Sequence, residues 1–181
     1  MDDTCVKFPG HGTDRLVPRL ASMNTSDDSR AGRDAGNPRS TAKVFGHPLH
    51  PMLVPFPIVC FIGALLTDFA YLGSANVMWS NFSIWLITGG LVMGGLAAVT
   101  GIIDYAGDRR VRAARPATPH MIINMAVFVI ELFNAFVHSR DGWTSVVPTG
   151  LTLSAVSVVL LGISAWLGAS LVYKHRVGVR S

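Results

Sequence analysis

The sequence predicts an all-α integral membrane four-helix bundle preceded by a disordered N-terminal arm. Three observations carry this reading. Of the 181 residues, 50% are hydrophobic and only 14% charged, whereas a soluble domain is about a quarter charged. The apolar residues gather after Val44 into four runs of 18 to 25 residues, together 86 of the 181 positions, and a helix needs roughly 20 residues to cross the hydrocarbon of a bilayer. Short polar links join the runs, which favours spanning helices over a buried soluble core, because a helix satisfies its own backbone in lipid.

Residues 1–44 hold six aspartates and seven Lys/Arg among Gly, Ser, Asn and Pro. Such a segment cannot bury enough surface to offset its ordering entropy, so a disordered cytoplasmic arm is expected. No apolar stretch follows Met1 or precedes Cys5, and a cleaved secretory signal is not expected; Met23 offers an alternative start. Cys5 and Cys60 lie in unlike surroundings and predict neither a disulfide framework nor a cysteine metal site.

The membrane domain is expected over 45–177, with a short tail at 178–181. Its first helix, Met52–Leu72, is entered through GHPLHPMLVPFPI, Gly46 to Ile58. His47 and His50 each precede a proline, which pushes both toward extended dihedrals. Pro55 and Pro57 free backbone carbonyls that neighbouring helices or water must answer. This run carries one charge, Asp68.

The second helix, Phe82–Ile103, is uncharged and carries Gly90, Gly94, Ala97 and Gly101 followed by Asp104. These lie within about 80° of one another on a helical wheel. Gly90 to Gly94 is a GxxxG step, a face suited to close helix packing and to a homodimer.

The third helix, His120–Val137, is the most informative. His120, Asn124, Glu131, Asn134 and His138 all fall within about 40° of one line along it. A carboxyl deep in the membrane is costly unless it faces the bundle interior or a wet cavity. The fourth helix, Thr149–Tyr173, is uncharged and presents Gly150, Ser154, Ser157, Ser164 and Gly168 as a packing surface.

Fourteen of the fifteen Lys/Arg precede the first helix, lie between the second and third, or end the chain; Arg140 alone falls on the other side. Short cationic loops stay in the cytoplasm, so both termini are expected inside an inner (plasma) membrane. The net charge of +4 is then topological, and no motif supports nucleic-acid binding.

This topology brings His47, His50, Asp104 and His120 to one cytoplasmic edge. Imidazoles suit transition metals, and a histidine from each of two helices can ligate a b-type haem, so His50 and His120 are the candidate ligands with Asp104 as an orienting carboxylate. Such a module implies a redox partner. A second reading is a proton-coupled carrier or channel using Glu131, with Asn124, Asn134, His138 and Asp68 along the path. A third is a membrane scaffold or partner subunit whose polar groups satisfy one another. Nothing resembles a hydrolase or nucleotide-binding motif.

At these residues the chain resembles the bacterial four-helix predicted membrane proteins of domain of unknown function 2231. The resemblance rests on HPLHPMLVPFPI at the first helix, on TGIIDY (Thr100 to Tyr105) closing the second, and on His120 with Asn124 opening the third. It covers about Val44 to Val177. It implies a membrane fold with a histidine-containing cytoplasmic site and carries over no catalytic residue.

Overall fold

Prolines and short caps punctuate the chain. A computed structural model describes residues 38–140 and 146–179; the expectations for residues 1–37 and for Arg180 and Ser181 lie outside the described residues. The chain enters through a two-stranded hairpin, β1 (Lys43–Val44) and β2 (His47–Pro48), with Phe45 and Gly46 at positive φ in its turn. A one-and-a-half-turn helix, α1 (Leu49–Leu53), carries His50. Val54 separates it from α2 (Pro55–Ser74), and Pro55 occupies a first-turn position where its missing N–H costs nothing.

Helix α2 ends at Ala75, which takes the left-handed conformation and donates its N–H to Tyr71 O at 2.7 Å. Asn76 then caps α3 (Val77–Gly107), accepting from Met78 N at 3.0 Å. Asp108 caps the short α4 (Arg109–Ala113), accepting from Arg110 N at 2.8 Å. Helix α5 (Ala117–His138) follows, and a wide turn at Val146–Gly150 leads into α6 (Leu151–Tyr173).

Four spans are long and apolar enough to cross a membrane: Leu49–Ser74, Val77–Gly107, Ala117–His138 and Val146–Tyr173. Helix α2 packs on α3 and α6, and α5 packs on the same two, so α2 and α5 face each other across the bundle centre. The surface is apolar: Val59, Trp85, Phe133 and Trp166 are each at least 65% exposed, while Asp68, Glu131, Asn134 and His138 are at most 3% exposed. This inverts the soluble pattern and fits a helix bundle solvated by lipid, whose polar groups must face inward.

Two expectations are corrected here. The glycines of α3 are occupied within the chain. A Cβ on Gly90 would meet the Phe61 ring at 2.5 Å, and Gly94 lies against Pro57 and Phe128, so the GxxxG face is not free to form a homodimer. The last residues of the arm, 38–44, are built into the domain, because the end of α3 supplies the hydrogen bonds that their composition lacks. Asp108 Oδ2 accepts from Arg39 N, Asp104 accepts from Ser40, Thr41 and Ala42, and Gly178 N donates to Pro38 O.

Candidate functional site

Polar side chains inside the bundle form two groups, separated by an apolar layer. The first lies at the end where α1 and α5 begin. His50 Nδ1 sits 2.7 Å from Ala97 O on α3, and His120 Nδ1 sits 2.9 Å from Ser164 O on α6. A carbonyl oxygen only accepts, so each Nδ1 carries a proton, and in the neutral ring the lone pair lies on Nε2. The rings are 6.2 Å apart between centroids and nearly perpendicular, at 88°.

Each ring rests on a glycine one helical turn beyond the carbonyl that it contacts. A Cβ on Gly101 would come within 2.9 Å of His50 Nδ1, and one on Gly168 within 3.1 Å of His120 Cε1. Asn124 braces His120. Its amide donates to Ser164 Oγ at 2.7 Å and to His120 O at 2.8 Å, and lies 3.2 Å from His120 Nε2. Two amide hydrogens are thus engaged by the two shorter contacts, leaving the Nε2 lone pair available. Both imidazoles, Asn124 and Ser164 line one cavity of about 90 Å3 whose remaining wall is apolar.

The other residues expected in this cluster lie elsewhere. His47 is exposed on the hairpin, its Nδ1 3.1 Å from Phe45 O. The Asp104 carboxylate is committed to the 40–42 segment: Oδ1 accepts from Thr41 N at 2.6 Å and Ala42 N at 2.7 Å, and Ser40 Oγ lies 3.0 Å from both oxygens. Main-chain amides, not an imidazole, are what this carboxylate holds. Asp104 therefore anchors the chain's entry and orients no histidine. Among the described residues no three His, Cys, Asp or Glu side chains are grouped to hold a metal ion.

The second polar group fills the opposite half. His138 donates from Nδ1 to Asn134 O at 3.0 Å, and its Nε2 meets Asp68 Oδ1 at 2.9 Å. Asp68 also accepts from Ser83 at 2.5 Å and Ser154 at 2.6 Å. Asn134 donates to Ser154 Oγ at 2.9 Å and to Glu131 Oε2 at 3.1 Å, closing a chain from Glu131 to His138. Glu131 Oε1, Asn134 Oδ1 and Ser157 Oγ are buried in this group without a close hydrogen bond, and the Ser157 hydroxyl is the neighbour of the Glu131 carboxyl.

Between the groups lie Phe61, Val127 and Leu161, a buried apolar layer backed by Ile58, Leu91, Ile123 and Leu160. The polar line expected along α5 is thus broken at Val127. Asn124 belongs with His120, and only Glu131, Asn134, His138 and Asp68 form one network. Reading the serines of α6 as packing missed Ser154 and Ser164 as hydrogen-bond partners, and Ser83 was missed too. The available signal was their placement on the face opposite the polar stripe of α5.

An apolar-skinned helical bundle with a charged and hydrogen-bonded interior defines a polytopic membrane protein. The chain belongs to the predicted membrane protein family DUF2231, which matches residues 46–181. No curated protein and no solved structure matches it.

Proposed function

We propose that this protein is a membrane redox module in which His50 and His120 ligate a haem-type centre. The observation that carries this is the shared anchoring of the two imidazoles. Metal-binding histidines characteristically donate the second ring N–H to a carbonyl or carboxylate, which fixes the tautomer and raises the basicity of the ligating nitrogen. Here Ala97 O and Ser164 O do this for both rings. Two imidazoles alone under-coordinate a bare transition ion, and no third His, Cys, Asp or Glu joins them among the described residues. A porphyrin iron brings its own four equatorial nitrogens and needs only axial ligands, so this donor set favours haem over bare metal.

The cavity of about 90 Å3 is smaller than a macrocycle, so loading requires the histidines to part. Pro55 and Pro57, which carry no N–H, support this, because the turn bearing His50 is tied to α2 by fewer main-chain hydrogen bonds than an ordinary helical turn. The distribution of Lys and Arg supports a cytoplasmic-side position for this site in an inner membrane, both termini inside, where a soluble redox partner can reach it.

The test is an oxidised and dithionite-reduced visible spectrum, with metal analysis, of protein purified in mild detergent from a haem-competent host. A Soret band that shifts on reduction and is lost in His50→Ala and His120→Ala is expected; full retention of the cofactor in both variants overturns the proposal.

A second reading, proton-coupled transport through Glu131, draws support from the buried Glu131 carboxyl and the orphan Asn134 Oδ1 one turn along α5. Buried orphan acceptors point to a missing proton or water. Proton or solute uptake in proteoliposomes that falls in Glu131→Gln supports this reading, and uptake unchanged by the substitution removes it.

A further inference from the structure

The two helical hairpins of the bundle, α2 with α3 and α5 with α6, correspond position by position. On α2 and α5 the buried positions match at a separation of seventy residues: Pro57 with Val127, Phe61 with Glu131, Ala64 with Asn134, and Asp68 with His138. On α3 and α6 the separation is sixty-seven, matching Gly90 with Ser157 and Ala97 with Ser164, all buried. Side-chain contacts keep the correspondence. His50 reaches Ala97 O and His120 reaches Ser164 O, each through Nδ1. Phe61 lays its ring where a Cβ of Gly90 would stand, and the Glu131 carboxyl is the neighbour of the Ser157 hydroxyl.

This last pair of contacts is where the hairpins diverge. In the first, an aromatic ring on a glycine fills the seat with apolar atoms. In the second, the same seat holds a carboxyl and a hydroxyl, with the Asn134 amide one turn along where the first hairpin has Ala64. The bundle thus closes around this position with apolar atoms alone, and its packing does not call for an acid. An ionisable group inside a membrane bundle that packing does not require marks a functional position.

Counting hydrogens shows what the seat lacks. Asn134 engages one amide hydrogen with Ser154 Oγ and the other with Glu131 Oε2, and Ser154 engages its own with Asp68. Ser157 Oγ, Glu131 Oε1 and Asn134 Oδ1 are left without a close hydrogen bond. The serine hydroxyl brings one hydrogen to two acceptors. An amide oxygen does not take up a proton near neutral pH, whereas a carboxyl can, and as an acid it becomes a donor. One proton on Glu131 therefore balances donors against acceptors in this buried group.

Charge leads to the same proton. No Lys or Arg is among the buried side chains of the described residues. The titratable groups that face Glu131 are Asp68 on α2 and His138 on α5, which are bonded to each other. Helix α6 carries no acidic or basic residue, and Asp104 of α3 is tied to residues 40–42 at the other end of the bundle. An ionised Glu131 would be a buried charge with no free partner of opposite sign, which costs far more than a neutral acid.

We infer that Glu131 is a proton-binding site, occupied in the resting protein: the second hairpin holds a carboxylic acid within the Asn134 and Ser157 group, at the place where the first holds the Phe61 ring. This goes beyond the haem reading, and it names the ligand of the Glu131 site independently of whether that site transports.

The experiment is the infrared spectrum of full-length protein at neutral pH, in a detergent without ester carbonyls, in H2O and in D2O. Native minus Glu131→Gln is expected to show the carbonyl stretch of one protonated carboxyl, shifted in D2O. In Asn134→Ala the band is expected to move, because the acid loses its amide partner. A difference spectrum with carboxylate bands and no acid band overturns the inference and leaves proteoliposome uptake to decide the transport reading. A band unmoved by Asn134→Ala places the proton outside this group and overturns the assignment. An acid band together with uptake indifferent to Glu131→Gln upholds the inference and removes transport. A second measurement tests the correspondence. Glu131→Phe, Asn134→Ala and Ser157→Gly together copy Phe61, Ala64 and Gly90. Thermal unfolding in detergent is expected to show this triple variant more stable than Glu131→Phe alone, whose ring would meet the Ser157 side chain. A triple variant no more stable than the single one overturns the reading of Glu131 as an acid that packing does not require.

Discussion

Single residues set the geometry of the histidine end, and glycine does so by omission. At Gly101 and Gly168 the space of a methyl group is taken by an imidazole. Gly101→Ala forces the His50 ring to move, an overpacking cost of about 1–3 kcal/mol against the roughly 1 kcal/mol that alanine contributes to a helix interior. Gly162, with nothing within 4 Å of its Cβ position, supplies the control. Thermal unfolding in detergent is expected to show Gly101→Ala destabilised and Gly162→Ala neutral or stabilised; equal behaviour of the two refutes the seat. Asp108 governs the chain's entry in a different way. The backbone N–H groups of Arg110 and Arg39 hold its carboxyl below the usual carboxylate range. A carboxyl depressed in the folded state stabilises above its unfolded pKa, and that contribution is lost as pH falls through the folded value. Protection of the Arg39 amide from hydrogen exchange, relative to an unstructured amide at the same pH, is therefore expected to hold at neutral pH and to fall in acid below about pH 4, the ordinary carboxylate pKa. In Asp108→Asn this acid step disappears; an Arg39 amide whose protection factor is the same at neutral and acid pH in the native chain refutes the link.

At the scale of elements, the apolar runs located all four spans but not their ends. Helix α3 begins five residues before the run Phe82–Ile103 and finishes four after it, because hydropathy registers the hydrocarbon while Asn76 and Asp108, both polar, cap the helix beyond it. The stripe on α5 was legible because five polar residues at helical spacing leave little choice of face. Its division was not, since Val127 becomes a barrier only when Phe61 and Leu161 arrive from other helices. The tie between Asp104 and Ser40, Thr41 and Ala42 was equally hidden: it joins residues more than sixty positions apart through main-chain amides, which every sequence has. The network also ranks its members. Asp68→Ala leaves a buried histidine and two hydroxyls without their acceptor, a loss of about 3 kcal/mol or more. Glu131→Gln keeps an oxygen to accept from Asn134 Nδ2 and removes an ionisable group from the bundle interior, so its cost stays under about 1 kcal/mol. Denaturation in mixed micelles compares the two, and a Glu131→Gln variant as unstable as Asp68→Ala shows that Glu131 is a structural partner.

For the whole molecule, the two polar ends and the layer between them decide what can cross. Asn124 and Glu131 lie seven residues apart on α5, about 10 Å along its axis, and Val127 between them is 2% exposed and packed against Phe61 and Leu161. A proton moves along hydrogen bonds, and this layer offers none, so the bundle keeps the imidazole pair out of proton contact with the Asp68–His138 pair. That separation suits a redox site, whose charge must not be short-circuited by a leak across the same four helices. Val127→Asn puts an amide in the gap and joins the two stripes. Proteoliposomes containing Val127→Asn are expected to dissipate an imposed pH gradient faster than those with the native chain, and adding Glu131→Gln is expected to return the rate toward native by removing the ionisable group beyond the gap. A native protein that already dissipates the gradient as fast as Val127→Asn shows that the layer opens in the membrane, and the weight then moves from the histidine pair to Glu131 as the working group.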